Sequence, residues 1–253
     1  MIAIRRVEDR RHVRRRKHEV WMTFFTQDGT DPFARGFGAL ATIDEKRMLP
    51  GASIRFRSRD DTELVSYLLE GALAYEDSTG RSGVMHAGEF QHIRSGPRIH
   101  HSQTNASRTE WARVFHIWLL QSEAELTSSC AQKRFCAADR RGVLCVIASP
   151  DGRGGSLRIG QDALIHSAML EPGQHLVHGL AAGRTAWLHV VSGRVQVGEV
   201  VLASGDGAGI TAERAVSLTA CDETELLLID LSGVLSPREE ALWPRVNREP
   251  AKS

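Results

Sequence analysis

The chain repeats itself once, and that repeat constrains its fold more than any other feature. Pro50-Gly51 has a counterpart in Pro172-Gly173, and Gly71 in Gly193, both at an offset of 122. Ala87-Gly88-Glu89 returns as Ser204-Gly205-Asp206, at an offset of 117. Each half runs in the same order: a proline-glycine turn, a strand, a glycine hairpin, a strand, and a small-glycine-acidic turn before another strand. Matches in one order at a nearly fixed offset mark a duplicated structural unit.

The unit is built of strands. Residues 63–77 read ELVSYLLEGALAYED, two apolar runs hinged on Gly71. Further strand-like runs occupy 113–120, 143–148, 163–170, 186–191 and 225–231, and Arg194-Val195-Gln196-Val197 alternates with the period of a half-buried strand. Glycine-bearing turns at short intervals predict barrels or sandwiches, not βαβ units. Helix is expected only at 122–135, between the halves, and at Ser236-Pro237-Arg238-Glu239, which supplies an N-cap, a proline at N1 and a glutamate at N3. The resulting division is a first domain over 1–125, an inter-domain segment over 126–139, a second domain over 140–235 and a polar tail over 236–253.

A chain of 253 residues, 42% hydrophobic, can bury a core in each half. Its 32 basic and 31 acidic residues leave a net charge of +1, with no bulk attraction to nucleic acid or to an anionic membrane. Residues 1–17 lack the apolar stretch of a secretory signal, and no apolar run is long enough to span a bilayer. Cys130, Cys136, Cys145 and Cys221 show neither C-x-x-C spacing nor a disulfide framework. A reduced, cytoplasmic protein is expected.

The chemistry-bearing residues lie in the first half. Gly51 is followed by five residues, Arg57-Ser58-Arg59, three more residues, Glu63 and the hairpin at Gly71; His86-Ala87-Gly88 and His101-Ser102-Gln103 come later. Residues two apart on a strand face the same side, so Arg57 and Arg59 form one pair. This is the frame of the cupin barrel, in which a His-x-His pair normally stands where the two arginines are. The chain resembles the pirin family of bicupins over nearly its whole length: in Trp21-Met22-Thr23-Phe24, in residues 63–77 and 96–105, in Phe115-His116-Ile117-Trp118, in Ser149-Pro150-Asp151, in Gly155-Ser156-Leu157 and in residues 227–231. That resemblance implies an all-β bicupin, two tandem cupin (RmlC-like jelly-roll) β-barrels, with quercetin 2,3-dioxygenase activity in bacterial members. It also implies one metal, usually iron, held in the first barrel by the His-x-His pair, a third histidine and a glutamate. The corresponding positions here are Arg57, Arg59, His101 and Gln103.

Of these four, His101 alone retains the family's residue. A guanidinium stays protonated and offers no lone pair, and the neutral Gln103 carbonyl is a weak substitute for a carboxylate. The expectation is therefore a barrel without a metal cofactor, with iron or another divalent transition metal only if a site is rebuilt around His101. Two readings of the altered site stay open. Arg57, Arg59, His101 and Gln103 form an anion pocket for a carboxylate or phosphate, or Glu63 neutralises the arginines in an inert buried network. The leading expectation is a small-molecule binder, taking an anionic or polyphenolic ligand at Arg57, Arg59, Glu63, His101 and Gln103 in a sensing or regulatory role. A quercetin 2,3-dioxygenase-like oxygenase is the competing class. A protein-interaction or transcriptional co-regulator module is the third.

Other features read as structural. The run Arg5-Arg6, Arg10-Arg11, Arg14-Arg15-Arg16-Lys17 is interrupted by Glu8 and Asp9 and carries no interleaved aromatic, so a solvated strand and loop is expected. Nucleic acid and membrane are not expected partners, whereas a protein partner stays open. His166, His175, His178 and His189 crowd the second half without a familiar ligand spacing. His175 and His178, three apart, should face opposite sides, and His189 should be a core residue. His86, His92 and His100 are expected at turns or the surface, His100 near the pocket mouth. Cys130 and Cys136 are expected to be ordinary packed or exposed thiols. Trp21, Trp111, Trp118 and Trp187 are read as core or inter-barrel aromatics.

Overall fold

A computed structural model describes residues 1–25, 31, 33, 36–57, 62–94, 99–121 and 129–233, with Arg57 described for its backbone alone. In chain order the strands are β1 (Ile2–Arg5), β2 (Arg11–Arg14), β3 (His18–Met22), β4 (Leu40–Met48), β5 (Ser53–Arg57), β6 (Thr62–Glu70), β7 (Ala72–Asp77), β8 (Ser82–His86), β9 (Glu89–Arg94), β10 (His100–Asn105), β11 (Ala112–Leu120) and β12 (Ser129–Arg134). A four-residue helix, α1 (Ala137–Arg140), follows. The strands then resume as β13 (Cys145–Ser149), β14 (Leu157–Arg158), β15 (Ala163–Leu170), β16 (His175–Gly179), β17 (Arg184–Ser192), β18 (Arg194–Val197), β19 (Val200–Ala203), β20 (Gly207–Ile210), β21 (Ala215–Ala220) and β22 (Thr224–Ser232).

These strands form two compact units, each a seven-stranded sheet paired with a four-stranded one. In the first unit the large sheet runs β12-β9-β6-β11-β4-β3-β2 and the small one β5-β10-β7-β8. In the second, the large sheet runs β1-β20-β17-β22-β15-β13-β14 and the small one β16-β21-β18-β19. The two orders correspond strand for strand through the barrel-forming elements.

The duplication extends to hydrogen-bond register. His116 pairs with Asp44 and Ser66, and Ser66 with Gln91. Likewise Leu228 pairs with His166 and Leu188, and Leu188 with Ala208. On the small sheets, the pairs Phe56–His101 and Tyr75–Gln103 correspond to His178–Val216 and Val197–Leu218. Position for position, the two barrels can therefore be compared. The hairpin glycines explain part of this fidelity. Gly71 and Gly193 both have positive φ (84° and 80°), and a Cβ would strike the backbone at Trp111 and Glu223 respectively.

Met48, Leu68, Leu73, Met85 and Val114 centre the first core, and Leu188, Val195, Leu218, Leu226 and Leu228 the second. Burying such side chains away from water is what holds the paired sheets together. α1 packs onto the second unit through Arg140, whose buried guanidinium meets Glu225 Oε1 at 2.6 Å and Ser167 Oγ at 3.1 Å.

Four expectations need correcting or setting aside. Met1–Arg10, assigned from the sequence to the first domain, belongs to the second unit. There β1 pairs with β20, and Asp206 accepts from Arg6 Nη1 at 2.7 Å and from the Val7 amide at 2.8 Å. Of the helix expected over 122–135, residues Ser129–Arg134 form a strand instead, at the edge of the first large sheet, bonding through Gln132 to the Val84 carbonyl. The helix at 236–239 and the tail lie outside the described residues. The basic N-terminal run is solvated only in part, since Arg5 and Arg10 are buried. No helix among the described residues is long and apolar enough to cross a membrane.

Candidate functional site: the polar interior of the first barrel

Phe56 identifies which faces look inward. Its ring lies 5.4 Å from His101, and 5.9 Å from both His116 and Trp118, edge-on to the latter. Directly paired residues share a sheet face, and faces alternate along a strand. Hence Ser66 on β6, Gln91 on β9, His116 on β11, Lys46 on β4 and His101 and Gln103 on β10 all face the interior, above the apolar floor of Leu68, Val114 and Met48.

Among these inward-facing groups is an ammonium–imidazole contact. Lys46 Nζ lies 2.9 Å from His116 Nδ1. An ammonium can only donate, so Nδ1 accepts and the ring proton resides on Nε2. His116 is fully buried, and burial together with the Lys46 charge holds its pKa well below the ordinary value, keeping the ring neutral. The Nε2–H donor is buried without a hydrogen-bond partner among the described residues, as are both ends of the Gln103 carboxamide and the Ser66 hydroxyl. Unpaired buried donors each cost about 1–3 kcal/mol, so a barrel selected only for stability would not carry this set.

The second barrel shows the apolar solution. At the positions matching Ser66, His116, Gln103, Gln91 and Lys46 stand Leu188, Leu228, Leu218, Ala208 and Ala168, all buried. At these five positions the same framework is filled with hydrocarbon in one unit and with hydrogen-bonding groups in the other.

Of the residues singled out from the sequence, the structure brings His101 and Gln103 together on the inner face of β10, both buried. Burial lowers the His101 pKa, with the charge of its cross-strand neighbour Asp77 acting the other way. The Arg57 backbone is opposite His100, one step from the Phe56–His101 pair. Arg59 lies outside the described residues. Glu63 is not brought into the chamber: inward positions on β6 are Leu64, Ser66 and Leu68, so Glu63 faces the other way, where its Oε2 meets His92 Nε2 at 2.7 Å. His92, expected at a turn or surface, is buried by this contact. His86 and His100 are exposed. Trp187 is a core residue, but Trp111 is 45% exposed. Burial pushes the Cys130 thiol pKa up, the opposite of an activated thiol. Among the described residues no group of three His, Cys, Asp or Glu side chains is placed to hold a metal ion.

Sequence reasoning missed His116, Lys46, Ser66 and Gln91. The signal was present: aligning the halves at an offset of 122 sets Ser66 against Leu188 and Lys46 against Ala168, polar for apolar within matching strands.

Comparison with known proteins adds relatives to this geometry. Residues 5–119 match the pirin family, and residues 146–231 match the quercetinase C-terminal cupin domain. The quercetin 2,3-dioxygenase of Escherichia coli K12 is 34% identical over 234 residues, covering 92% of this chain and all of the relative. A pirin-like protein of Caulobacter vibrioides is 30% identical over 79% of this chain and 86% of its own length. The crystal structure of YhhW from E. coli superposes with a TM-score of 0.84 at 33% identity, covering 93% of this chain and all of that one. A second structure, of the bacterial pirin YhhW in complex with nickel(II), superposes at 0.83 and 32% identity, covering 92% of this chain and all of that one.

Proposed function

The chain belongs to the pirin family of bicupins, and on that footing we propose that its first barrel binds a small, oxygen-rich ligand, anionic or polyphenolic, without a metal cofactor. The observation that supports this most is the polar chamber itself. His116 Nε2–H, the Gln103 carboxamide and the Ser66 hydroxyl are inward-facing, buried and without a hydrogen-bond partner among the described residues, and Lys46 sets a positive charge on the other edge of the His116 ring. Carboxylate, phenolate and ketone oxygens are the complementary acceptors, and Lys46 favours those carrying negative charge. Phe56 and His101, stacked at 5.4 Å, offer flat walls for an aromatic ligand.

The donor chemistry does not suit the family's metal. At the four corresponding positions stand two guanidinium groups, one imidazole and one carboxamide, and a guanidinium has no lone pair to give. Ligand capture without metal chemistry accords with a sensing or regulatory role. The test is a thermal-shift and calorimetric screen of hydroxyflavonoids and aromatic carboxylates, beginning with quercetin. Binding that is lost in His116→Leu supports the reading; binding indifferent to His116 and Gln103 overturns it.

The second reading, an oxygenase, is favoured by the 34% identity to the E. coli quercetin 2,3-dioxygenase. Elemental analysis after reconstitution with iron, copper, zinc, manganese and nickel separates the two. Near-stoichiometric metal that is lost in His101→Ala supports the oxygenase.

A further inference from the structure

We infer that the second barrel carries a transition-metal site of its own, at its mouth, on His166 and His178. His178 lies near the end of β16 and His166 near the start of β15, with their ring centroids 4.8 Å apart at 61°. Both face the barrel interior, His166 opposite Leu228 and His178 opposite Val216. That spacing suits a single ion at roughly 2.0–2.1 Å from one nitrogen of each ring.

Each ring is prepared for the task. His178 Nε2–H donates to Asp230 Oδ2 at 2.8 Å, which leaves the Nδ1 edge of the ring to face an ion. A carboxylate on the far nitrogen is the usual support of a metal-bound histidine, because it fixes the tautomer and raises ligand basicity. Asp230 is itself held by Arg184 Nε, and Arg184 Nη1 reaches Asp162 at 3.0 Å. His166 is 4% exposed, and its Nδ1 is buried without a hydrogen-bond partner among the described residues.

Charge favours a cation. Asp230 and Asp162 stand against Arg184, and Arg153, the other cation felt at His166, is paired with Asp151 at 2.9 Å. Imidazole donors select zinc, copper, nickel or iron over calcium or magnesium. Two protein nitrogens leave the remaining positions to water or to a bound ligand. The matching positions of the first barrel are Asp44, Phe56 and Trp118, so this mouth is a departure from the repeat. It stands independently of the ligand site in the first barrel.

The test is calorimetric titration of the full chain with nickel(II), zinc(II) and cobalt(II) at pH 7.5, with cobalt(II) visible absorption as a second readout. One site is expected. His166→Phe and His178→Gln should each weaken it at least about tenfold, and Asp230→Asn by about 10–100-fold. His101→Ala and His175→Ala should leave it unchanged, which separates this site from the first barrel and from exposed histidines. Paramagnetic broadening of the His166 and His178 ring signals in the unaltered chain needs no variant and guards against misfolding. Absence of binding, binding indifferent to His166, or binding lost in His101→Ala would overturn the inference.

Discussion

Lys46 Nζ sits 2.9 Å from His116 Nδ1 inside the first barrel, and this contact decides which edge of the imidazole donates into the chamber. The ring is neutral, buried and oriented, with its proton on the side that Lys46 does not occupy. A neutral donor beside a fixed ammonium is a polarised clamp for an oxygen acceptor.

His116→Leu copies the second barrel, which has Leu228 at that position. The substitution removes an unpaired buried donor but also the Nδ1 acceptor of Lys46, so stability is expected to change by no more than about 1 kcal/mol in either direction. Ligand affinity should fall at least about tenfold, roughly 1.4 kcal/mol. Melting curves with and without quercetin measure both quantities, and an affinity left intact contradicts the assignment.

Lys46→Met removes the charge that, after burial, holds the His116 pKa down. The ring pKa should rise and the preference for the Nε2–H tautomer should weaken. Nitrogen-15 chemical shifts of the His116 ring report both. Retention of a pure Nε2–H tautomer would show that something other than Lys46 sets it.

His166 predicts an acid-sensitive slope. Its folded pKa is about 4 against an ordinary 6.5. Between those values the unfolded chain binds a proton that the folded chain does not, so stability rises with pH across the window and is lost as pH falls through it. The contribution is about 3 kcal/mol, and His116 acts in the same direction. Urea unfolding from pH 7.5 to 4.5 should show this slope, and His166→Phe should flatten it.

Arg140→Ala strips the buried Glu225 carboxylate of a guanidinium at 2.6 Å and should destabilise the second unit by about 3 kcal/mol. The double variant with Glu225→Leu should recover part of that loss. A double variant no more stable than Arg140→Ala would assign the role to packing of the arginine stem.

The barrels were legible because alternating apolar runs and repeated glycine turns are local signals. The strands at 63–77, split at Gly71, and at 163–170 fall where the pattern places them. The site was half legible. His101 and Gln103 share a strand face, as spacing by two requires, but Glu63 was placed by a sequence motif, and strand parity turns it toward His92 instead. Lys46 and His116 stand 70 residues apart, and their contact arises only when β4 pairs with β11. His166 and His178 looked unrelated for the same reason: one strand presents each, and no spacing rule spans two strands.

The edge strand supplied by Ile2–Arg5 gives the chain an unusual order of completion. It is the first strand in the sequence, yet its partner, Gly207–Ile210, lies about 200 residues further along the chain. The Met1 ammonium then closes on Glu213 and on the Thr211 carbonyl, which it meets at 2.7 Å. Cutting the gene at the apparent boundary between the repeats therefore delivers a second unit whose large sheet is short of one edge.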